Sequence, residues 1–277
     1  MKARYELKDK EASEQNLANI PHLFFLDSTS LTLGVFEPGT KKFLAIKKYD
    51  FYKPLSQINI QEIREAVEEI GAKEKYLFIN TPETTLVPNE FFDKGLKNKY
   101  FELNYFKNPD ATVQADYLDE INSRLLFQLN FQASKVKIAL SCRKVFHAST
   151  AYLKSTNELA SYHASNVMFV NIDQRFIKVA VYKSQNLKMF NTFIFKAPED
   201  VLYHVMNTSH EFGIKPKYDL YFFSGNVEKF SDYYELLKEY LKNPEFTEIP
   251  KNLDLSSELF KHGPHLHFNL LSTSLCV

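Results

Sequence analysis

The chain has 277 residues, enough for one large domain or two ordinary ones, and its 44% apolar content suits a core that folds without staples. Lysine plus arginine (34) equals aspartate plus glutamate (34), so no whole-molecule field draws in a nucleic-acid backbone or an anionic membrane, and no run approaches the roughly 20 apolar residues that cross a bilayer. The N-terminal MKARYELKDKEASEQNL lacks the apolar centre of a secretory signal, and Cys142 and Cys276 have no redox or metal spacing, which leads to the expectation of a cytoplasmic protein with reduced thiols.

The first structural signals are LFFLD, ending at Asp27, the alternating stretch LTLGVF, the turn EPGTKK and a second alternating stretch, FLAIKKY. Period-two alternation bounded by turn residues predicts a three-stranded antiparallel meander. IQEIREAVEEIG places Ile60, Ile63, Val67 and Ile70 on one helical face and stops at Gly71, a residue suited to the left-handed position past a helix end. KYLFIN reads as a fourth strand. Beyond it, PNEFFDKGLKNKYF predicts a short helix ending near Gly95, and SRLLFQLNF a buried strand. ASKVKIALSCRKVF fits both periods: Val136, Ile138 and Leu140 alternate, while Val136, Ala139 and Leu140 share a helical face. RKVFHASTAYL is open in the same way.

From about Asn166 the pattern starts again. MFVNID ends at Asp173, IKVAVY alternates, KSQNLK turns and MFNTFIF alternates. PEDVLYHVMNTSHEFG is a helix with Val201, Val205 and Phe212 inward and Gly213 as its stop, YDLYFF is a strand, and DYYELLKEYLKN is a helix with Tyr234, Leu237 and Leu241 on its apolar face. Placing Asp27 on Asp173, 146 positions on, lays Leu33 on Val179, Val35 on Val181, Phe36 on Tyr182, Lys42 on Lys188 and Tyr49 on Phe195. GAKEKY at Gly71 and GIKPKY at Gly213 echo one another at an offset of 142. The expected architecture is α/β, a β-β-β-α-β unit written twice, with lobes at 1–165 (carrying an insert after the first unit) and 166–277 around a cleft.

Two such units, each with an acid closing its first strand, resemble the actin-like ATPase (ribonuclease H-like) superfold shared by sugar kinases, the Hsp70 nucleotide domain and the pilus assembly protein PilM. From LVPNEFF to HLHFNLLSTSLCV the chain is also similar to DUF3822, a bacterial family of the Bacteroidetes type with no assigned activity. In active members of the superfold the first hairpin carries Asp-x-Gly-Ser/Thr, the second Asp-x-Gly, and a Gly-rich turn follows for adenosine. Glycine there lets backbone N–H groups approach phosphate. Here the hairpins read Asp27-Ser28-Thr29-Ser30 and Asp173-Gln174-Arg175-Phe176, with Thr29 and Arg175 where glycine belongs. A left-handed turn at a β-branched threonine would cost about 1–2 kcal/mol.

Of seven glycines, Gly34 falls in a strand, Gly39 in a turn, Gly71, Gly95 and Gly213 at helix ends, and Gly263 in KHGPH. Only Gly225, in FFSGNVEKF, is left for the adenosine turn, with Asn226 in place of a second glycine.

The expectation is a non-catalytic actin-like protein without a cofactor, its partner another protein and not a nucleic acid. The alternative is an ATP/Mg enzyme in which Arg175 grips phosphate by paired hydrogen bonds. Asp27 and Asp173 could hold Mg²⁺ across the cleft or cap their own hairpins; a ribonuclease-H-type nuclease would need more acids on one unit. His262, His265 and His267 have metal-like spacing, with His265 and His267 on one face if the segment is a strand. Cys142 and His147 are a candidate nucleophile pair set against a buried structural thiol. Phe91, Phe92, Tyr100, Phe101, Tyr105 and Phe106 either fill the first lobe's core or form a partner-binding patch.

Overall fold

The computed structural model describes residues 2–8, 17, 19–67, 72, 74–250, 253–255 and 263–277. The expected helix stop Gly71, together with Ile70 and His262, lies outside these described residues. In chain order the elements are β1 (Lys2–Lys8), β2 (His22–Leu26), β3 (Ser30–Glu37), β4 (Lys42–Asp50), α1 (Ile60–Val67), β5 (Lys75–Ile79), β6 (Thr84–Pro88), α2 (Lys97–Glu102), β7 (Thr112–Leu118), β8 (Ser123–Leu129), α3 (Phe131–Ala139), β9 (Lys144–His147) and α4 (Ala148–Ala160). They continue with β10 (Val167–Ile172), β11 (Phe176–Lys183), β12 (Asn186–Ile194), α5 (Pro198–Phe212), β13 (Leu220–Gly225), α6 (Asp232–Tyr240), β14 (Pro244–Phe246), β15 (Asp254–Leu255) and α7 (Phe268–Ser272).

The duplication is visible in the sheets. The first runs β1-β4-β3-β2-β5-β9, with β15 beside β4, and the second runs β12-β11-β10-β13-β14. Five strands therefore repeat in the same order, and each unit is longer than expected: a second helix and a fifth parallel strand (α3 and β9, α6 and β14) complete it. The ambiguous ASKVKIALSCRKVF resolves into both periods at once, helix α3 followed by strand β9. RKVFHASTAYL likewise splits into the end of β9 and the start of α4.

Register fixes the offset. Leu26 pairs with Leu31 and Ile79, and Ile172 with Ile177 and Gly225, all 146 positions apart between units. Both second strands carry a bulge at the same place, between Val35 and Phe36 and between Val181 and Tyr182. Two expected equivalences shift. The β11–β12 hairpin is two residues tighter than β3–β4, turning on Ser184 and Gln185, both at positive φ, so the residue matching Tyr49 is Phe193 rather than Phe195 and that matching Lys42 is Asn186 rather than Lys188. The GAKEKY/GIKPKY echo is out of register with the fold: Lys75 matches Tyr221, not Lys217, because extra turn residues precede β13.

The central strands are covered on both faces, so β3 is buried at seven of its eight positions instead of alternating. Leu31, Leu33 and Val35 pack with Ile63, Val67, Ala133 and Val136 of α1 and α3. The opposite face, with Leu23, Phe25, Phe43 and Ile46, packs on Ala148 and Ala151 of α4 and on Leu270 and Leu271 of α7. Gly34 makes room there, since a Cβ on it would lie 2.9 Å from the Phe43 ring and 3.3 Å from Leu270. Helix α4 joins the halves, its Tyr152 and Leu153 sharing a core with Phe169, Tyr182, Phe222 and Phe268.

The insert between β5 and α3 is a three-stranded sheet, β6-β8-β7, with α2 against it. Gly95 precedes α2 rather than ending a helix: Asp93 caps the turn by accepting the Gly95 N–H (2.7 Å), and the helix starts only at Lys97. Phe101 is the fully buried anchor, with Val87, Val113 and Leu126; Phe92, Tyr100 and Tyr105 are half-buried against it, and Phe91 and Phe106 face solvent. The six aromatics thus divide between core and surface.

Candidate functional site

The two hairpins meet at a cavity of about 560 Å³ between the lobes, lined among others by Asp27, Ser28, Asp173, Gln174, Arg175 and Gly225, with apolar walls from Phe25, Leu55, Ile194 and Leu270. Their backbones match. Asp27 N–H donates to Ser30 O and Asp173 N–H to Phe176 O, both at 3.0 Å; Phe51 N–H reaches Thr29 O (2.7 Å) as Phe195 N–H reaches Arg175 O (3.1 Å). Neither Thr29 nor Arg175 has positive φ, so the expected strain at Thr29 does not arise.

Side-chain chemistry separates them. Asp27 Oδ1 accepts the N–H groups of Thr29 and Ser30, each at 2.7 Å, and Oδ2 accepts the Ser30 hydroxyl at 2.8 Å. Backbone donors that a phosphate-gripping loop would turn outward are consumed by the loop's own acid. Asp173 does not cap its hairpin in this way. Its Oδ2 lies 2.9 Å from the Lys178 ammonium, which is fully buried, and Asn269 from α7 donates to Oδ1 at 3.3 Å. The rings of Phe176 and Tyr152 lie 5.5 and 5.9 Å from that ammonium. Burial pushes the Lys178 amine below its ordinary value; the carboxylates of Asp173 and Asp27 oppose the shift by favouring the charged form. The hairpins also touch, the Thr29 hydroxyl lying 2.8 Å from Gln174 Oε1 and 3.0 Å from Asp27 Oδ1.

Gly225 ends β13 at φ +84, where a Cβ would stand 2.2 Å from Ile172 O. The left-handed residue is Gly225 itself; Asn226 needs no positive φ, and its N–H donates to Ile172 O at 2.6 Å. Ser28 and Arg175 are exposed at the cavity rim. Lys178 and Gln174 were not singled out from sequence. The available signal was Lys178 in the interior of the apolar strand FIKVAVYK, five residues after Asp173 and at the position matching Thr32.

The remaining candidates disperse. Pro264–His267 is a 3₁₀ turn and not a strand; His265 stacks on Phe246 with ring centres 3.9 Å apart and contacts Val227 O, while His267 meets the Tyr5 ring edge-on. Among the described residues no three His, Cys, Asp or Glu side chains cluster to hold a metal ion. Burial pushes the Cys142 thiol up to about 12 and holds His147 down at about 3. Both His147 nitrogens are engaged, Nδ1 accepting from Ser149 N–H (3.1 Å) and Nε2 facing the Thr81 hydroxyl (3.2 Å), so the ring is a helix cap and not a base for Cys142.

Two lobes of repeated topology around such a cleft define the actin-like ATPase fold. A Bacteroides thetaiotaomicron protein with that fold and unknown function superposes with a TM-score of 0.78 at 12% identity, covering 96% of this chain and 99% of its own. PilM, in the PilM–PilN type IV pilus biogenesis complex, gives 0.65 at 11% identity, with 91% and 97% covered. The chain belongs to the family described as protein of unknown function (DUF3822), whose model matches residues 9–243. No curated protein matches the sequence. Among the described residues, no helix is long and apolar enough to cross a membrane.

Proposed function

We propose that this protein is a non-catalytic member of the actin-like fold, two lobes (1–165 and 166–277, with β15 and α7 returning to the first) serving as a scaffold or adaptor for another protein, with no nucleotide turned over in the cleft. The observation that carries this reading is the pairing of both hairpin acids within the protein. Asp27 is held by its own loop and Asp173 by the buried Lys178, so the groups that would face Mg²⁺ and phosphate already have partners. A fixed ammonium beside Asp173 repels a second cation at that carboxylate. The PilM–PilN assembly supports protein binding as a use of this fold. Two unpaired cysteines are compatible with a reducing, cytoplasmic setting.

Thermal unfolding with ATP and Mg²⁺ tests the reading. The midpoint is expected to stay put at millimolar ligand, because a ligand that binds only the native state raises it. A rise of several degrees that disappears in Arg175→Ala would establish a nucleotide site built on the exposed arginine and end the non-catalytic interpretation.

A further inference from the structure

The repeated sheets differ at one edge. In the first lobe β1 lies antiparallel along the outer side of β4, with Lys2 opposite Asp50, Tyr5 opposite Lys48 and Leu7 opposite Ile46. The matching strand of the second lobe, β12, ends its sheet, and among the described residues no strand pairs with its outer side. The ladder fixes which backbone groups this leaves over. Phe195 N–H donates to Arg175 O, and antiparallel bonds alternate along a strand, so the N–H and C=O groups of Ile194, Thr192 and Phe190 point away from β11. These match Asp50, Lys48 and Ile46, the positions that face β1 in the first lobe. Asn191 Oδ1 accepts the Thr192 N–H at 2.8 Å; the other outward groups bond to no loop or side chain among the described residues.

Sheet edges are ordinarily guarded by charge, proline or brevity. The other ends of the two main sheets obey that rule: β1 interleaves Lys2, Arg4, Glu6 and Lys8, β9 has four residues, and β14 has three and begins with Pro244. In contrast, β12 is nine residues long and has no proline, and its one charge, Lys188, sits at the bulge between Leu187 and Met189. From Phe190 to Ile194 it is uncharged, and Ile194 is 58% exposed. The strand is also held from both faces, Phe193 stacking on His204 of α5 (ring centres 4.5 Å apart) and Phe190 lying against Tyr152 of α4 (6.2 Å). A strand fixed in this way loses little freedom when its edge is covered.

We propose that β12 pairs with β12 of a second copy of the chain, antiparallel about a two-fold axis at Thr192, joining two five-stranded sheets into one continuous sheet. The occupant follows from complementarity. Outward groups must meet outward groups, and centring on Thr192 sets Thr192 against itself and Phe190 of one copy against Ile194 of the other, twice. Aromatic against β-branched is a stabilising cross-strand pair. The Thr192 hydroxyl stays on Pro82 O, on the α4 side of the sheet, while its N–H exchanges the Asn191 cap for a carbonyl of the other copy. Lys188 and Lys196 flank the paired stretch, where both are exposed and screened by salt, and a chain of zero net charge sets up no repulsion between whole molecules. Such an interface is isologous and closes on two copies, leaving neither edge open. The inference goes beyond the scaffold reading and does not depend on it.

Sedimentation equilibrium of the full-length protein is expected to show a species of twice the 32.3 kDa chain mass. Thr192→Pro removes an outward donor without touching the bonds to β11, and Ile194→Lys sets an ammonium against Phe190. Each should weaken association by about tenfold or more while circular dichroism stays that of the folded chain. Thr192→Cys should form an intermolecular disulfide on mild oxidation, because bonded antiparallel partners have Cα atoms about 5.5 Å apart. In the unaltered dimer the Phe190 and Ile194 amides should be protected from hydrogen exchange. A monomer at every concentration, a dimer indifferent to both folded variants, no Thr192→Cys cross-link, or fast exchange of those amides in the dimer would each overturn the proposal. ATP binding in the cleft with the dimer intact would instead overturn only the non-catalytic reading.

Discussion

The two hairpins facing each other across the cleft share a backbone and an aspartate, yet their acids are satisfied by opposite means. Asp27 turns inward onto the N–H groups of its own loop, whereas Asp173 is matched by a lysine two strand positions into β11, where the first lobe has Thr32. Ladder pairing fixes the loop geometry in both, so the side chains are free to diverge so long as each buried charge has a partner. The strand beside each hairpin diverges as well: Ile79 ends β5 where Gly225 ends β13.

The contrast can be broken most forcefully at Lys178. Lys178→Ala leaves Asp173 beside an empty, apolar space and is expected to cost about 3–5 kcal/mol in urea unfolding, with much of that recovered when Asp173→Asn is added. If the double variant is no more stable than the single one, the ion pair is not what Lys178 contributes.

A buried acid with no ion pair among the described residues, where Lys144 and Lys154 act only at longer range, provides the control. Asp116 on β7 accepts from His147 N–H (2.8 Å) and the Thr150 hydroxyl (2.7 Å), and burial pushes its carboxyl up to about 6. Its folded value lies above the unfolded one, so the stability it contributes is complete below the unfolded value near 3.8 and is lost as pH rises through about 6. The loss should approach ~3 kcal/mol, and Asp116→Asn should flatten that part of the stability–pH curve. An unchanged slope would show that another group sets it.

Gly225→Ala should cost at least ~1–2 kcal/mol for the left-handed backbone alone, with the short approach to Ile172 O adding to it. Calorimetry that finds it neutral would mean the turn can relax. Asp27→Asn keeps an acceptor for the Thr29 and Ser30 N–H groups and should cost only about 1 kcal/mol; a loss as large as that of Lys178→Ala would erase the distinction between the hairpins.

Much of the fold was legible because its signals are local. Alternating runs, turn residues and the Gly213 stop located both meanders, and Asp27 on Asp173 gave the true offset of the strands. What misled was similarity without register: GAKEKY and GIKPKY look alike but sit four positions out of step, and a hairpin shortened by two residues displaced Phe195. The cleft was legible in outline, since Asp27, Ser28, Asp173, Arg175 and Gly225 line one cavity and Thr29 bridges to Gln174 above it. The role of Lys178 was hidden, because a lysine in a strand reveals its burial only once both faces of the sheet are known to be covered. Strand β1 carried a signal too, since KARYELK alternates Ala3, Tyr5 and Leu7 with charged residues, but it lies outside the repeated unit and its partner β4 is far along the chain.

The small space left by Gly34 is filled by Leu270, a residue translated long after the rest of that lobe. Until α7 emerges from the ribosome, Leu23, Phe25 and Phe43 have only α4 as cover on that face, and the part that α7 takes stays open to water or to a chaperone. The first lobe's core is therefore finished by residues from far downstream, and removing α7 would unsettle both halves at once, because Phe268 and Asn269 of the same helix serve the second.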